Sequence, residues 1–198
     1  DNQVDYNLLK LKDADFKNST FKCENNFFYC VREQEKMSKS KFNVVNPDEI
    51  CDKYGADTLR MYEMFLGPIE QSKPWDTRGI SGVHSFLKKF WGLFFKDGLI
   101  NVSEEDPSIK SLKSLHKTIK KITEDIEKLS LNTCISSFMI CINELSSMSC
   151  NNREILKDLL ILISPFAPHF AEELWSQLGH KESIVDQVYP EYNEKYLV

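Results

Sequence analysis

The sequence lacks the features that mark a zinc, disulfide-rich or membrane protein. None of its 6 cysteines stands in a C-x-x-C pair, and no apolar run is long enough to cross a membrane. The polar opening Asp1-Asn2-Gln3 is unlike a secretory signal. We therefore expect free thiols, no bound metal and a cytoplasmic location, in preference to zinc ligands or disulfides.

An excess of positive charge is also missing. The chain has 25 Lys and Arg against 30 Asp and Glu, a formal net charge of -5. Such a chain is expected to contact nucleic acid only through local lysine clusters. Its 198 residues, of which 41% are hydrophobic, suffice for one sizeable domain or two small ones.

Local signals predict a mainly α-helical chain that begins with a short β-hairpin. Two runs rich in β-forming residues, 20–23 and 27–32, flank a turn rich in asparagine. Asn46 is predicted to cap the first helix and Gly55 to end it. Helices are predicted over residues 46–54, 56–66, 82–95, 109–129, 133–148, 151–163 and 168–178.

The third predicted helix carries large apolar residues at helical spacing. We interpret them as a core stripe, in preference to a platform on which nucleobases stack. The polar segment 96–108 then predicts a linker and a domain boundary. The helices after it are predicted to form a bundle with short links. The stripe consists of Phe86, Leu87, Phe90, Trp91, Phe94 and Phe95.

A lysine-rich loop precedes the first helix in the sequence. It contains Lys36, Lys39 and Lys41, with Ser38 and Ser40 between them. Lysine is a flexible point charge suited to phosphate, and serine hydroxyls add hydrogen bonds to phosphate oxygens. The alternative is a solvated surface loop, which is typical of lysine-rich segments.

A second group of lysines lies along the first helix of the predicted bundle. The lysines lie beside an apolar face and are interrupted by Glu124. Such a stripe suits the phosphates of an RNA backbone, and the alternative is a solvated face that aids solubility. The apolar face is Ile109, Leu112, His116, Ile119, Ile122, Ile126 and Leu129. The stripe is Lys110, Lys113, Lys117, Lys120, Lys121 and Lys128.

Four segments resemble the class I aminoacyl-tRNA synthetases. "KMSKS", residues 36–40, matches the second signature of that class, and "NPDEICDKYGADTLRMYEMFLGP" resembles the two helices that follow it. "SPFAPHFAEELW" resembles part of the anticodon-binding domain of the Leu/Ile/Val branch. "EQSKPWDTRGISGVHSFLKKFW" is similar to the leucyl-tRNA synthetases. The resemblance covers about residues 17–180.

The resemblance implies a division of the chain into two parts. Residues 1–95 correspond to the end of a catalytic domain with its KMSKS loop, and residues 96–198 to an incomplete anticodon-binding helix bundle. It also implies ATP with Mg²⁺, leucine and tRNA(Leu) as partners, and a monomeric full-length enzyme without a membrane.

Individual residues receive roles from the same resemblance. Lys36 and Lys39 are expected to contact the leaving phosphates of ATP, with Ser38 and Ser40 shaping the ATP-binding loop and Met37 anchoring it. The tRNA-binding residues are expected to be Lys110, Lys113, Lys117, Lys120 and Lys121.

The other class I signature, His-x-Gly-His, is absent, and the 4 histidines are scattered. The chain does not begin with Met. We therefore expect a fragment of a longer synthetase that is inactive alone. A stand-alone RNA-binding module without catalysis is the alternative, and a helical scaffold is a third.

Overall fold

The computed structural model describes residues 3–5, 27–29, 35–41 and 43–198. They belong to two compact units, 1–45 and 46–198, and each is described by itself. The described residues are mainly helical, which confirms the predicted class.

The first unit contains a two-stranded antiparallel sheet. Strand β1, Gln3–Asp5, pairs with β2, Phe27–Tyr29, with Val4 opposite Phe28. The strand predicted at 27–32 is therefore present over its first three residues. Its predicted hairpin partner, residues 20–23, lies outside the described residues. The observed partner, β1, was not predicted.

The second unit begins with three helices. They are α1, Pro47–Tyr54, α2, Ala56–Phe65, and α3, Ile80–Trp91. The Asn46 side chain accepts a hydrogen bond from the Asp48 amide at 3.1 Å, so the predicted cap is confirmed. Gly55 separates α1 from α2 with φ 87°, a conformation that glycine adopts without steric cost.

Helix α3 ends earlier than predicted. It stops at Trp91 instead of residue 95, and a hairpin of β3, Phe95–Lys96, and β4, Leu99–Ile100, follows. Asp97 and Gly98 form its turn with φ 50° and 80°. An Asp-Gly pair favours such a hairpin turn, so the sequence contained the signal that the linker prediction overlooked.

The rest of the predicted linker is tied to the bundle. The Ser103 amide donates to the Asn151 carbonyl at 2.9 Å, and the Ser103 carbonyl accepts from the Arg153 amide at 2.9 Å. Asn152 Nδ2 donates to the Glu105 carbonyl at 2.6 Å. The segment is therefore held by backbone hydrogen bonds. The domain division at residue 95 stays a prediction, and helices from both sides of it pack together in the second unit.

Four more helices complete the second unit. They are α4, Ile109–Glu127, α5, Leu131–Ser147, α6, Arg153–Ile163, and α7, Pro168–Gln177. Helix α4 packs on α5 and α6, α7 packs on α6, and α5 also contacts α2 and α3. The inward residues predicted for α5 are fully buried: Ile135, Phe138, Ile142 and Leu145.

The apolar face predicted for α4 is only partly buried. Ile119 and Ile122 are fully buried, but Ile109 is 67% and Leu129 58% exposed. The buried side is rotated towards small polar residues, because these find hydrogen-bond partners inside the bundle. Ser114 Oγ, for example, donates to Glu144 Oε2 at 2.6 Å.

The last described segment lies against α4. It contains two short 3₁₀ turns, Ile184–Asp186 and Glu194–Tyr196, and the second packs on α4. The His116 and Tyr196 rings stack with centroids 4.8 Å apart. Within the described part of the chain, every helix is too short or too polar to cross a membrane.

Candidate functional site

The lysine-rich loop has a defined internal geometry. Residues Lys39–Lys41 form a 3₁₀ turn, and the Lys41 amide donates to the Ser38 carbonyl at 3.1 Å. Asn43 ties the two ends together: its Oδ1 accepts from the Ser38 amide at 2.8 Å and its Nδ2 donates to the Lys36 carbonyl at 3.3 Å. The Ser38 and Ser40 hydroxyls are 2.7 Å apart. Asn43 was not singled out from the sequence, although asparagine is typical of such turns.

The three lysines of the loop differ in their partners. Lys41 Nζ donates to Glu35 Oε2 at 2.6 Å. Lys36 and Lys39 are exposed and form no ion pair with any described residue. The two lysines that were predicted to contact ATP are therefore those whose charge the described loop does not neutralise.

Met37 lies in the middle of the loop. Its side chain is 42% exposed among the described residues, and its anchoring role stays a prediction. The side chain sits in a turn that backbone and side-chain hydrogen bonds already close. Those bonds order the loop without apolar burial.

The lysine stripe of α4 is present on the side away from the buried residues. Lys110, Lys117 and Lys121 are exposed, whereas Lys113 and Lys120 are partly buried. Positions three, four and seven apart share a helix face. Lys128 lies just beyond the end of α4 and is exposed.

Two of these lysines have partners within the unit. Lys121 Nζ donates to Asp125 Oδ1 at 2.6 Å, and this hydrogen bond raises the pKa of Lys121 above its ordinary value. Lys120 Nζ lies 5.5 Å from the centroid of the Tyr192 ring. The remaining helix lysines, Lys110, Lys113 and Lys117, form no ion pair with a described residue, so they contribute available charge to the stripe.

An aspartate joins α2 to the start of α7. Asp57 Oδ2 accepts from the Phe170 amide at 2.6 Å, and Asp57 Oδ1 lies 2.9 Å from His169 Nδ1. Arg60 also donates to the Pro165 carbonyl at 3.0 Å. This junction was not predicted from the sequence, because its partners are more than a hundred residues apart in the chain.

The cysteines have no metal-binding arrangement in the part of the chain that the structure describes. No group of three or more His, Cys, Asp or Glu there is suited to a metal ion. Cys51, Cys134, Cys141 and Cys150 are free thiols. The other two cysteines lie outside the described residues. Burial raises the pKa of Cys134 to about 11.

Two family models match the chain. The model described as "tRNA synthetases class I (I, L, M and V)" matches residues 26–75, which include the lysine-rich loop. The model described as "Anticodon-binding domain of tRNA ligase" matches residues 110–197, which include α4–α7.

Curated relatives extend the similarity to nearly the whole chain. The leucine–tRNA ligase of Christiangramia forsetii is 58% identical over 196 residues, which are 99% of this chain and 20% of that protein. That of Flavobacterium psychrophilum is 62% identical over 185 residues, 93% of this chain and 19% of that protein. The chain thus spans about a fifth of the length of the curated relatives it matches.

A solved structure supports the same relationship. It is the crystal structure of the ternary complex of Agrobacterium radiobacter K84 agnB2 LeuRS-tRNA-LeuAMS, with a TM-score of 0.71 and 27% sequence identity. The similarity covers 82% of this chain and 23% of that chain. The chain therefore belongs to the leucine–tRNA ligase family, of which it covers part of the class I synthetase region and the anticodon-binding domain.

Proposed function

We propose that this chain supplies the KMSKS half of the ATP site and a tRNA-binding helix bundle to a leucine–tRNA ligase. The observation that carries the proposal is the pair of exposed lysines, Lys36 and Lys39, on a loop ordered by Asn43. The loop falls within the residues matched by the class I model. In this proposal residues 1–95 belong to the catalytic domain and residues 96–198 to the anticodon-binding domain.

The proposed role of the loop is electrostatic. In the first step a leucine carboxylate oxygen attacks the α-phosphorus of ATP, and pyrophosphate leaves as its bond to that phosphorus breaks. Negative charge accumulates on the departing phosphates, which arrive with Mg²⁺ as part of the substrate. Lys36 and Lys39 stabilise this charge as preorganised donors, with no covalent bond to the protein. The Ser38 and Ser40 hydroxyls and the Met37 backbone complete the ATP-binding loop.

The proposed role of the bundle is to hold tRNA(Leu) for transfer of the leucyl group. The charges of Lys110, Lys113 and Lys117 on α4, which no described carboxylate pairs, favour contacts with backbone phosphates. Lys120 and Lys121 lie beside them, with part of their charge engaged by Tyr192 and Asp125. We infer that the full-length enzyme acts in the cytoplasm as a monomer, and that this chain alone forms no leucyl-adenylate.

The test is a set of substitutions in the full-length enzyme. Lys39→Ala is expected to lower leucine-dependent pyrophosphate exchange by about 10²–10³, the effect of losing one preorganised donor. Affinity for tRNA is expected to stay close to wild type. Lys39→Arg is expected to restore the rate only in part, because a planar guanidinium replaces a point charge poorly.

The matched control is Lys41→Ala on the same loop. Lys41 is engaged by Glu35 in an exposed pair, and such pairs contribute little, so a change below about threefold is expected. Wild-type exchange in Lys39→Ala would contradict the phosphate role. It would favour the alternative, an RNA-binding module whose function depends on the α4 lysines alone.

A further inference from the structure

A groove of about 380 Å³ opens where α2, α3 and α7 meet. Its volume lies within the range of small-molecule sites, about 300–1,000 Å³. All of its lining residues belong to the second unit. Neither the loop nor the lysine stripe of α4 contributes to it, so it is separate from both candidate sites.

The walls of the groove are aromatic. Tyr54 and His84 face each other edge-on with ring centroids 5.6 Å apart, and Trp91 and Phe170 do so at 5.9 Å. Trp91 is partly exposed, whereas Phe90 beside it in the sequence is fully buried. The predicted core stripe of α3 is therefore divided between core residues and residues that line an open groove.

The rim of the groove is positively polarised. Lys88 lines it, is exposed and forms no ion pair with a described residue. Helices α2 and α7 both begin at the groove, but the Asp57 carboxylate already lies at both N-terminal ends, so Lys88 supplies the available positive charge of the rim. The one lining carboxylate, Asp57, is already engaged by His169 and the Phe170 amide.

We propose that this groove binds an unpaired nucleotide of the RNA that the bundle holds. Aromatic walls suit a planar base, and the positive rim suits the phosphate attached to it, whereas an uncharged apolar group would make no use of the rim. Stacking depends little on which base is present. The site is therefore expected to bind an unstacked nucleotide without preferring a particular base. This inference rests on the proposed tRNA-binding function.

The test measures the affinity of the full-length protein for a tRNA(Leu) transcript at several salt concentrations. Trp91→Leu is expected to weaken binding about 5- to 100-fold, as loss of one stacking contact does, with the salt dependence unchanged. Trp91→Phe is expected to stay within about threefold of wild type, because it keeps a ring. Lys88→Gln is expected to reduce the slope of log affinity against log salt by about one.

Trp75→Leu is the matched control. Trp75 is also partly buried, but it lies outside the groove, edge-on to Tyr62. It is expected to leave tRNA affinity unchanged. A melting curve of each variant separates lost binding from lost folding. If Trp91→Leu fails to fold, the test rests on Lys88→Gln. A wild-type tRNA affinity and a wild-type slope of log affinity against log salt in that variant overturn the proposal.

The remaining outcomes separate this inference from the function on which it rests. If Lys110→Gln with Lys117→Gln weakens binding and the groove variants do not, the groove proposal fails and tRNA binding by the bundle stands. If none of these variants weakens binding, both fail. If Trp91→Leu lowers the melting temperature without changing affinity, the Trp91 ring serves only packing against Phe95 and Phe170, and the proposal is overturned.

Discussion

At the scale of single residues, burial determines how the cysteines react. Cys134 and Cys141 are fully buried, and burial raises the pKa of both thiols, that of Cys134 to about 11. Cys51 and Cys150 are partly exposed. Because the thiolate is the reactive form, the two pairs are expected to differ in reactivity although all four are free.

Alkylation of the native chain by iodoacetamide at pH 8 tests this difference. Cys51 and Cys150 are expected to react first, and Cys134 at least about 100-fold more slowly, because so little of its thiol is ionised. Peptide mass spectrometry over time gives each rate, and labelling in denaturant is the control in which the rates converge. Equal native rates would contradict the described burial.

Some residues of the candidate site could be predicted from the sequence and others could not. Lys36 and Lys39 were predicted because the five-residue motif fixes their order. Asn43 and the Lys41–Glu35 pair were not predicted, because only the folded loop shows which side chain closes it and which lysine is neutralised. The anchoring role of Met37 stays a prediction, because an apolar residue in a short motif does not reveal which surface covers it.

At the scale of elements, local signals predicted most helices within a few residues. Asn46 and Asn152 each cap a helix by accepting a backbone hydrogen bond, and such caps depend only on neighbouring residues. The buried face of α4 was less predictable. Its polar residues are buried only because partners on α5, such as Glu144 for Ser114, are brought to them by packing.

The junction between α2 and α7 gives a prediction at this scale. Asp57 acts as a cap for α7 from a distant helix, since its carboxylate accepts from the Phe170 amide. Asp57→Ala is expected to lower the free energy of unfolding by about 2 kcal/mol, because it leaves a donor at the start of α7 without a charged acceptor. Urea denaturation of the 198-residue chain measures the loss.

Asp52→Ala provides the control for this junction. Asp52 is exposed in the middle of α1 and forms no ion pair with a described residue, so its removal is expected to change the free energy of unfolding by less than about 0.5 kcal/mol. Equal midpoints for the two variants would show that the junction adds nothing to stability.

At the scale of the whole molecule, the least predictable feature was how distant segments cover one another. Nothing local in residues 192–196 indicates that they lie across α4, yet the Asn193 amide donates to His116 Nδ1 at 3.3 Å. Likewise, the segment predicted as a linker belongs to the packed unit, because it forms the hairpin after α3 and the backbone of its residues 103–105 forms hydrogen bonds with residues 151–153. These contacts depend on the complete fold.

The contact between this last segment and α4 is expected to depend on pH. Burial lowers the pKa of His116 below its ordinary value, and repulsion from the Lys195 ammonium lowers it further. The folded state therefore holds His116 neutral, and its Nδ1 accepts the Asn193 amide only in that form. As pH falls through the ordinary histidine pKa, about 6.5, the unfolded chain takes up a proton more readily than the folded chain, and stability is lost.

Urea midpoints of the chain at pH 8.0 and pH 5.5 test this expectation. The wild-type midpoint is expected to fall at the lower pH, and His116→Gln is expected to show a smaller fall, because its amide oxygen accepts the Asn193 amide at both pH values. His84→Gln is the matched control, since it leaves the His116 contact in place and should retain the full fall. If His116→Gln and the wild type lose stability equally, protonation of His116 does not release the segment that covers α4.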